Sequence, residues 1–179
     1  VTTIDYGAAD TYYVNNSSLP KVYGGVNTSL SWKGFDLSAI FAYSIGGYIY
    51  NRDVTMILHN GSLEGRDWST EILRRWTPDN RYTDVPALST TSNNWNSAST
   101  RFLQNYSYMR LKNLTLSYNL PKQWISKLSL SSVQVYVQGD NLFTIHRNQG
   151  LDPEQGITGI TYYRYPAMRT ISGGINVSF

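Results

Sequence analysis

The sequence predicts an all-β fold: about five antiparallel strands that belong to a large membrane-spanning barrel. Three observations predict it. Five segments alternate apolar and polar side chains with a period of two, as a strand with one greasy and one wet face requires. Short and long connections follow one another in turn between those segments. The apolar faces carry no Lys, Arg, Asp or Glu within the strand cores.

The first strand is expected over 22–32, VYGGVNTSLSW, with Val26, Thr28, Leu30 and Trp32 opposite Asn27, Ser29 and Ser31. Lys33-Gly34 is a tight turn into the second, 35–46, where Phe35, Leu37, Ala39, Phe41, Tyr43 and Ile45 share a face. Two alternating runs joined by two residues read as a hairpin. The third is expected over 106–119. There Leu114, Leu116 and Tyr118 share one parity while Met109 and Leu111 take the other, so a bulge, or a strand leaving the apolar environment, is expected near Lys112-Asn113. The fourth, 132–143, sets Val133, Val135 and Val137 against Gln134, Tyr136, Gln138 and Asp140. The fifth, 168–179, sets Ile171, Ile175, Val177 and Phe179 against Thr170, Ser172, Asn176 and Ser178.

Between them lie the Lys33-Gly34 turn, a long stretch 47–105, the short connection LPKQWISKLSLS and a second long stretch 144–167. Outer-membrane barrels have this form, with short periplasmic turns and long outer loops. On that reading 47–105 and 144–167 are outer loops. Strands of about 9–11 residues suit a tilted membrane crossing. Trp32, Phe35, Tyr118, Trp124 and Phe179 gather near the short-turn end, where an aromatic girdle belongs. Five strands cannot close such a barrel, and an open edge in lipid strands backbone groups at several kcal/mol each, so the chain reads as part of something larger. The competing readings are a soluble extracellular carbohydrate-binding β-sandwich, whose faces also alternate, and a small barrel or adhesin assembled from several copies.

Composition excludes other classes. Charged residues are 15%, below the roughly 25% of average soluble domains, while tyrosine alone accounts for fifteen positions. A net charge of +3 with no run of more than two basic residues gives no nucleic-acid surface. There is no cysteine, hence no disulfide framework or thiolate metal site. His59 and His146 lie far apart with no metal-like partner spacing, and no nucleophile elbow, phosphate loop or dinucleotide fingerprint occurs. Asp152 and Glu154 in LDPEQG are the nearest thing to paired acids and are expected to be solvated loop residues. Neither catalysis, a cofactor nor a metal is expected.

Several stretches in order carry a family resemblance: "PKVYGGVNTSLSWKGFDLSAIFAYSIGGYIYN" (20–51), "RRWTPDNRYTDVPAL" (74–88), "SYMRLKNLTLSYNLPKQWISKLSLSSVQVYVQGDNLFT" (107–144), "GLDPE" (150–154) and "YPAMRTISGGINVSF" (165–179). The chain resembles the C-terminal part of SusC/RagA-type TonB-dependent transporters of the Bacteroidetes outer membrane, from residue 20 onward. The resemblance implies a barrel of about 22 strands with a plug domain, importing oligosaccharides or peptides. It implies energy from the TonB-ExbB-ExbD complex and a SusD-like surface lipoprotein as lid. The plug and the TonB-contacting region are absent from this sequence, and residues 1–10 do not have the basic-then-apolar order of an export signal.

Candidate functional residues fall into three sets. In the long stretch 47–105, DWSTEILRRW predicts a helix from Asp67 that sets Trp68, Ile72, Leu73 and Trp76 on one face and ends at Thr77-Pro78. Trp68, Arg75, Trp76 and Trp95 are the candidates for meeting lid or cargo, by stacking and forked hydrogen bonds; the bland alternative is packing among outer loops. Asn27, Ser38, Gln134, Tyr136 and Gln138 are expected to face the lumen. Val135, Ile175, Val177 and Phe179 are expected to face lipid, with the terminal aromatic read during assembly, a role taken from barrels as a class.

Overall fold

Strands whose side chains alternate keep their apolar and polar sets apart only if they pair in phase, because a one-residue slip sends every side chain to the other face. The computed structural model describes residues 5–59, 61, 63, 65–89, 94–128, 130–148, 152–154, 156–161 and 163–179. Its strands are β1 (Val22–Trp32), β2 (Phe35–Ile45), β3 (Tyr48–Asn51), β4 (Leu103–Asn105), β5 (Tyr108–Asn119), β6 (Ser132–His146), β7 (Ile160–Thr161) and β8 (Thr170–Ser178). The chain divides into two compact units.

The first unit, residues 20–46, 106–154 and 165–179, holds a five-stranded antiparallel sheet in the order β1-β2-β5-β6-β8. Lys33 and Gly34 both take positive φ, 47° and 89°, the two-residue turn whose twist matches the flanking strands. Pairing then runs in phase across all five strands. One row is Trp32, Phe35, Tyr118, Val135 and Ile175; the next along the same face is Leu30, Leu37, Leu116, Val137 and Gly173. The opposite face carries Ser29, Ser38, Thr115, Gln138 and Ser172 in one row, and Ser31, Asp36, Ser117, Tyr136 and Gly174 in another.

The parity change near Lys112 is a register shift. Ile40 pairs with Asn113 and the next residue, Phe41, with Leu111, so Lys112 is extra relative to β2. Phe41 and Leu111 thereby stay on the apolar face. A second shift lies between β5 and β6, where Asn141 takes φ 52° and its amide donates to the Met168 carbonyl at 3.1 Å.

Tyrosines cover glycines across this sheet. A Cβ on Gly174 would stand 2.7 Å from the Tyr136 hydroxyl oxygen, and one on Gly24 would stand 2.9 Å from that of Tyr43. Each ring lies over the bare backbone of its pairing partner, restoring packing that glycine lacks.

The second unit, residues 1–19, 47–105 and 155–164, has its own small sheet, β4-β3-β7, with β3 and β7 parallel. A short helix α1 (Arg52–Ile57) follows β3, its first turn capped by the Asn51 side chain, which accepts from the Val54 N–H at 3.1 Å. Ile49, Leu58, Ile72, Val85 and Phe102 are buried in it, with Tyr50 and Phe102 meeting edge to face at 6.2 Å.

The helix expected from Asp67 to Trp76 is a single 3₁₀ segment, Thr70–Arg74. Ser69 caps its start and Arg75 leaves it with ψ 155°. Its last carbonyls are taken by side chains from the following turn: the Asn80 amide donates to Arg74 and Arg75, and the Thr83 hydroxyl to Arg74 at 2.6 Å. Side-chain donors from RWTPDNRYTD thus replace the next helical turn, the competition that polar turn residues set up. Ile72 is buried while Leu73, Trp68 and Trp76 are exposed, so the expected common face does not form.

Candidate functional site

The polar face of the five-stranded sheet is built by β-strand alternation and finished by side chains that bond one another. The Asn113 amide donates to Asp140 at 2.8 Å, Gln138 to the same carboxylate at 3.2 Å, Gln134 to the Ser117 hydroxyl at 3.3 Å and Asn176 to Gln134 at 3.2 Å. Ser31 and Asn119 both donate to Asp36, at 2.5 and 2.6 Å. Of the expected lumen residues, Ser38, Gln134, Tyr136 and Gln138 stand half-buried on this face and Asn27 is exposed on it. Tyr136 lies across Gly174 rather than standing away from the wall.

At the end of the sheet away from the Lys33-Gly34 turn this face becomes charged. Arg110, paired with Ala42 and Thr144 on the polar side, is 3% exposed. Its guanidinium donates to Asp152 at 2.5 Å, to Glu154 at 3.0 Å and to the Thr144 hydroxyl at 2.9 Å. Lys112, the bulged residue, reaches the same Glu154 at 2.5 Å. Asp152 also accepts from the Glu154 N–H at 2.8 Å and the Ala167 N–H at 2.7 Å. Burial works to raise the Asp152 pKa, but those two N–H groups and the Arg110 guanidinium together hold it below the usual carboxylate range.

The expectation of two solvated loop acids is therefore corrected for Asp152, while Glu154 is exposed as well as ion-paired. Asp152 is 7% exposed by side chain and joins three chain segments of its unit. The partners lie 42 and 44 residues apart in sequence, which no local spacing reveals. The available signal is Met109-Arg110-Leu111, a charge between two apolar residues of a strand. An open cleft of about 520 Å³ lies beside the cluster, edged by Arg110, Asn141, Thr144, His146, Ala167 and Arg169.

On the other face, Val135, Ile175 and Val177 share one side of the sheet, and Phe179 is exposed just past β8. Ile171 is 72% and Ile175 64% exposed, in a sheet that has no charged side chain in their rows.

The four loop candidates belong to the other unit. Trp68 is exposed with its ring edge-on to buried His59 at 5.2 Å, and burial lowers the His59 pKa from its ordinary value. Arg75 is half-buried, and Trp76, exposed, donates its backbone N–H to the Val85 carbonyl at 2.7 Å. Trp95 is tied inward: its indole N–H donates to the Leu58 carbonyl and the Arg101 guanidinium stacks 3.5 Å from its ring centroid. Tyr82, absent from the expected set, is fully exposed. Among the described residues no group of three or more His, Cys, Asp or Glu is placed to hold a metal ion, and no helix is long and apolar enough to cross a membrane, which leaves strand crossing open.

An open antiparallel sheet with one charge-free, exposed apolar face and one hydrogen-bonded polar face is the arrangement expected of a segment of a transmembrane β-barrel. Known proteins narrow this further. No family model matches the chain. It is 34% identical over 166 residues to TonB-dependent receptor P3 of Formosa agariphila, an alignment covering 87% of this chain and 16% of that protein. It is 27% identical over 181 residues to TonB-dependent receptor SusC of Bacteroides thetaiotaomicron, covering 99% and 17%. Among solved structures, the RagAB peptide importer in its closed-closed state superposes with a TM-score of 0.85 at 35% identity, over 100% of this chain and 19% of that one. The open-open state gives the same values. Over nearly its whole length the chain resembles a part of the SusC/RagA-type TonB-dependent receptors. It spans about a sixth of the length of the curated relatives it matches.

Proposed function

We propose that the chain supplies part of the wall and outer loops of an outer-membrane importer that brings large nutrients inward, without catalysing a reaction. The observation that carries this is the two-faced sheet: apolar rows such as Leu30, Leu37, Leu116 and Val137 on one side, hydrogen-bonded polar rows on the other. On this reading the apolar side meets lipid at Val135, Ile175 and Val177, while Asn27, Ser38, Gln134, Tyr136 and Gln138 line the lumen. Uncharged polar walls let polar cargo and a plug move past without a deep ion-pair trap. The rest of the barrel and its plug complete the wall. A SusD-like lipoprotein covers the outer mouth, and the TonB-ExbB-ExbD complex drives transport.

Cargo is a peptide or an oligosaccharide; the likeness to a peptide importer at 35% identity favours a peptide. The segments 47–105 and 144–167 are the outer loops, of which Trp76 and Arg75 meet lid or cargo. Arginine at Val135 or Ile175 tests the reading in the complete transporter. At mid-membrane it costs about 2–4 kcal/mol and is expected to abolish assembled protein in outer-membrane fractions, whereas arginine at Gln134 or Ser172 is expected to leave assembly intact. Normal surface levels of the Val135→Arg protein refute it.

A further inference from the structure

The turn end of the five-stranded sheet collects three lysines. Lys33 sits in the β1–β2 turn, and Lys122 and Lys127 sit in the connection between β5 and β6, which opens with a one-turn helix, α2 (Lys122–Ile125). The register brings both connections to one end, because Trp32 pairs with Phe35, Phe35 with Tyr118, and Asn119 with Gln134. Exposed Trp32, Phe35, Trp124 and Phe179 lie at the same end.

The charges there do not cancel. Asp36 is the only acidic side chain in residues 31–37, 117–135 and 174–179, against three lysines. Its carboxylate is on the polar face, held by Ser31 and Asn119. All three lysines are exposed, and among the described residues none of them forms an ion pair; the Lys33 ammonium rests 5.0 Å from the Trp32 ring centroid. By contrast Lys112, at the bulge within β5, is matched by Glu154. Cations held on short turns beside an exposed aromatic collar sit at the depth where such rings meet lipid headgroups.

We propose that this rim binds the phosphates of anionic phospholipids in the leaflet that the turns enter. The inference rests on the barrel reading above and adds a partner to it. Tryptophan and phenylalanine bury at the acyl boundary, and the ammonium groups meet phosphate as point charges. A lysine near an anionic membrane surface strengthens attraction about fivefold, so three give a preference that neutral collars lack.

The experiment takes the complete transporter that carries this chain into vesicles of phosphatidylcholine with phosphatidylglycerol. Lipids retained after gentle extraction are then counted by native mass spectrometry. Wild type is expected to retain phosphatidylglycerol over phosphatidylcholine, and a protein with Lys33→Gln, Lys122→Gln and Lys127→Gln to lose that enrichment. Enrichment unchanged in the triple variant overturns the proposal, as does a wild type that retains both lipids equally. Heat-modifiable gel migration reports barrel assembly separately: a wild type that never assembles overturns the barrel reading and this inference with it. If the glutamine variant does not assemble, wild-type enrichment is measured across added salt, where screening is expected to remove it and a salt-independent preference overturns the proposal.

Discussion

Arg110 and Asp152 meet at 2.5 Å with side chains 3% and 7% exposed, a buried ion pair between a barrel-type strand and the connection between β6 and β8. The pair is part of a fork: the same guanidinium holds Glu154 and Thr144, and the same carboxylate holds two backbone N–H groups. Taking two charges out of water is costly, and only dense hydrogen bonding offsets it. The density here means that removal of one partner strands the other.

Arg110→Ala is accordingly expected to destabilise the segment around residues 152–154 and 165–169 by about 3–5 kcal/mol, the usual result of orphaning a buried partner. Arg110→Lys keeps the charge but loses the fork and falls between. Protease sensitivity of that connection in the assembled protein measures the effect. A double-mutant cycle with Asp152→Asn is expected to give a coupling of about 0.5–3 kcal/mol. Independent effects of the two changes would show that the contact carries little.

Acid acts on the same pair in a defined direction. The Asp152 pKa is lowered in the folded protein, so its stabilisation is complete above the ordinary carboxylate value and is lost as pH falls through the depressed one. The connection is therefore expected to resist cleavage at pH 5 and to open only below about pH 4, which pepsin digestion across that range detects. Asp152→Asn removes the carboxylate's titration, so its cleavage profile is expected to lose that step.

Much of the sheet is legible in the sequence because period-two alternation states which side chains share a face before any partner is known. The break between Leu111 and Leu114 is legible for the same reason: one extra residue inverts parity, and Lys112 is that residue. The irregularity in β6 leaves no such mark. Val133, Val135, Val137, Phe143 and Ile145 keep one parity, yet Asn113 pairs with Asp140 and Leu111 with Phe143. The β6 shift adds to that of β5, so parity returns and the pattern looks unbroken. The fork at Arg110 is illegible for a different reason, since its acids arrive from a distant segment. In the 47–105 stretch, helical periodicity misleads because Asn80 and Thr83 capture the carbonyls that a continuing helix needs.

That hidden irregularity is testable at Asn141. Its φ of 52° is one that asparagine tolerates and β-branched residues resist, and its amide bonds Met168. Asn141→Gly keeps the conformation and loses only the side-chain bond, an expected cost of about 0.5–1.5 kcal/mol. Asn141→Val opposes the conformation as well and is expected to cost about 1–3 kcal/mol more. Thermal unfolding of the assembled protein ranks the two; equal midpoints would mean that β6 relaxes to a regular register.

Trp95 and Trp76 are both loop tryptophans, yet one is tied inward and the other is exposed. Trp95 donates its indole N–H to Leu58 and lies under Arg101, whose guanidinium also donates to the Asp84 carbonyl at 2.8 Å. Trp95→Phe removes that bond and leaves a buried carbonyl without it, an expected loss of about 1–3 kcal/mol of stability. Trp76 and Tyr82 are exposed on a turn that Asn80 and Thr83 tie together; Tyr82 projects fully, while about half of Trp76 is covered. Tyr82→Ala is expected to change stability by less than about 0.5 kcal/mol, and Trp76→Ala, which removes a half-covered ring, by about 1.5–3 kcal/mol, while both weaken capture of lid or cargo. Rigid exposed aromatics are the usual energetic anchors of interfaces because little entropy is lost when they dock. Unfolding midpoints paired with uptake rates separate the two residues: an uptake defect in Trp95→Phe that exceeds its loss of folded protein, or normal uptake in the Trp76→Ala and Tyr82→Ala double variant, reverses the assignment.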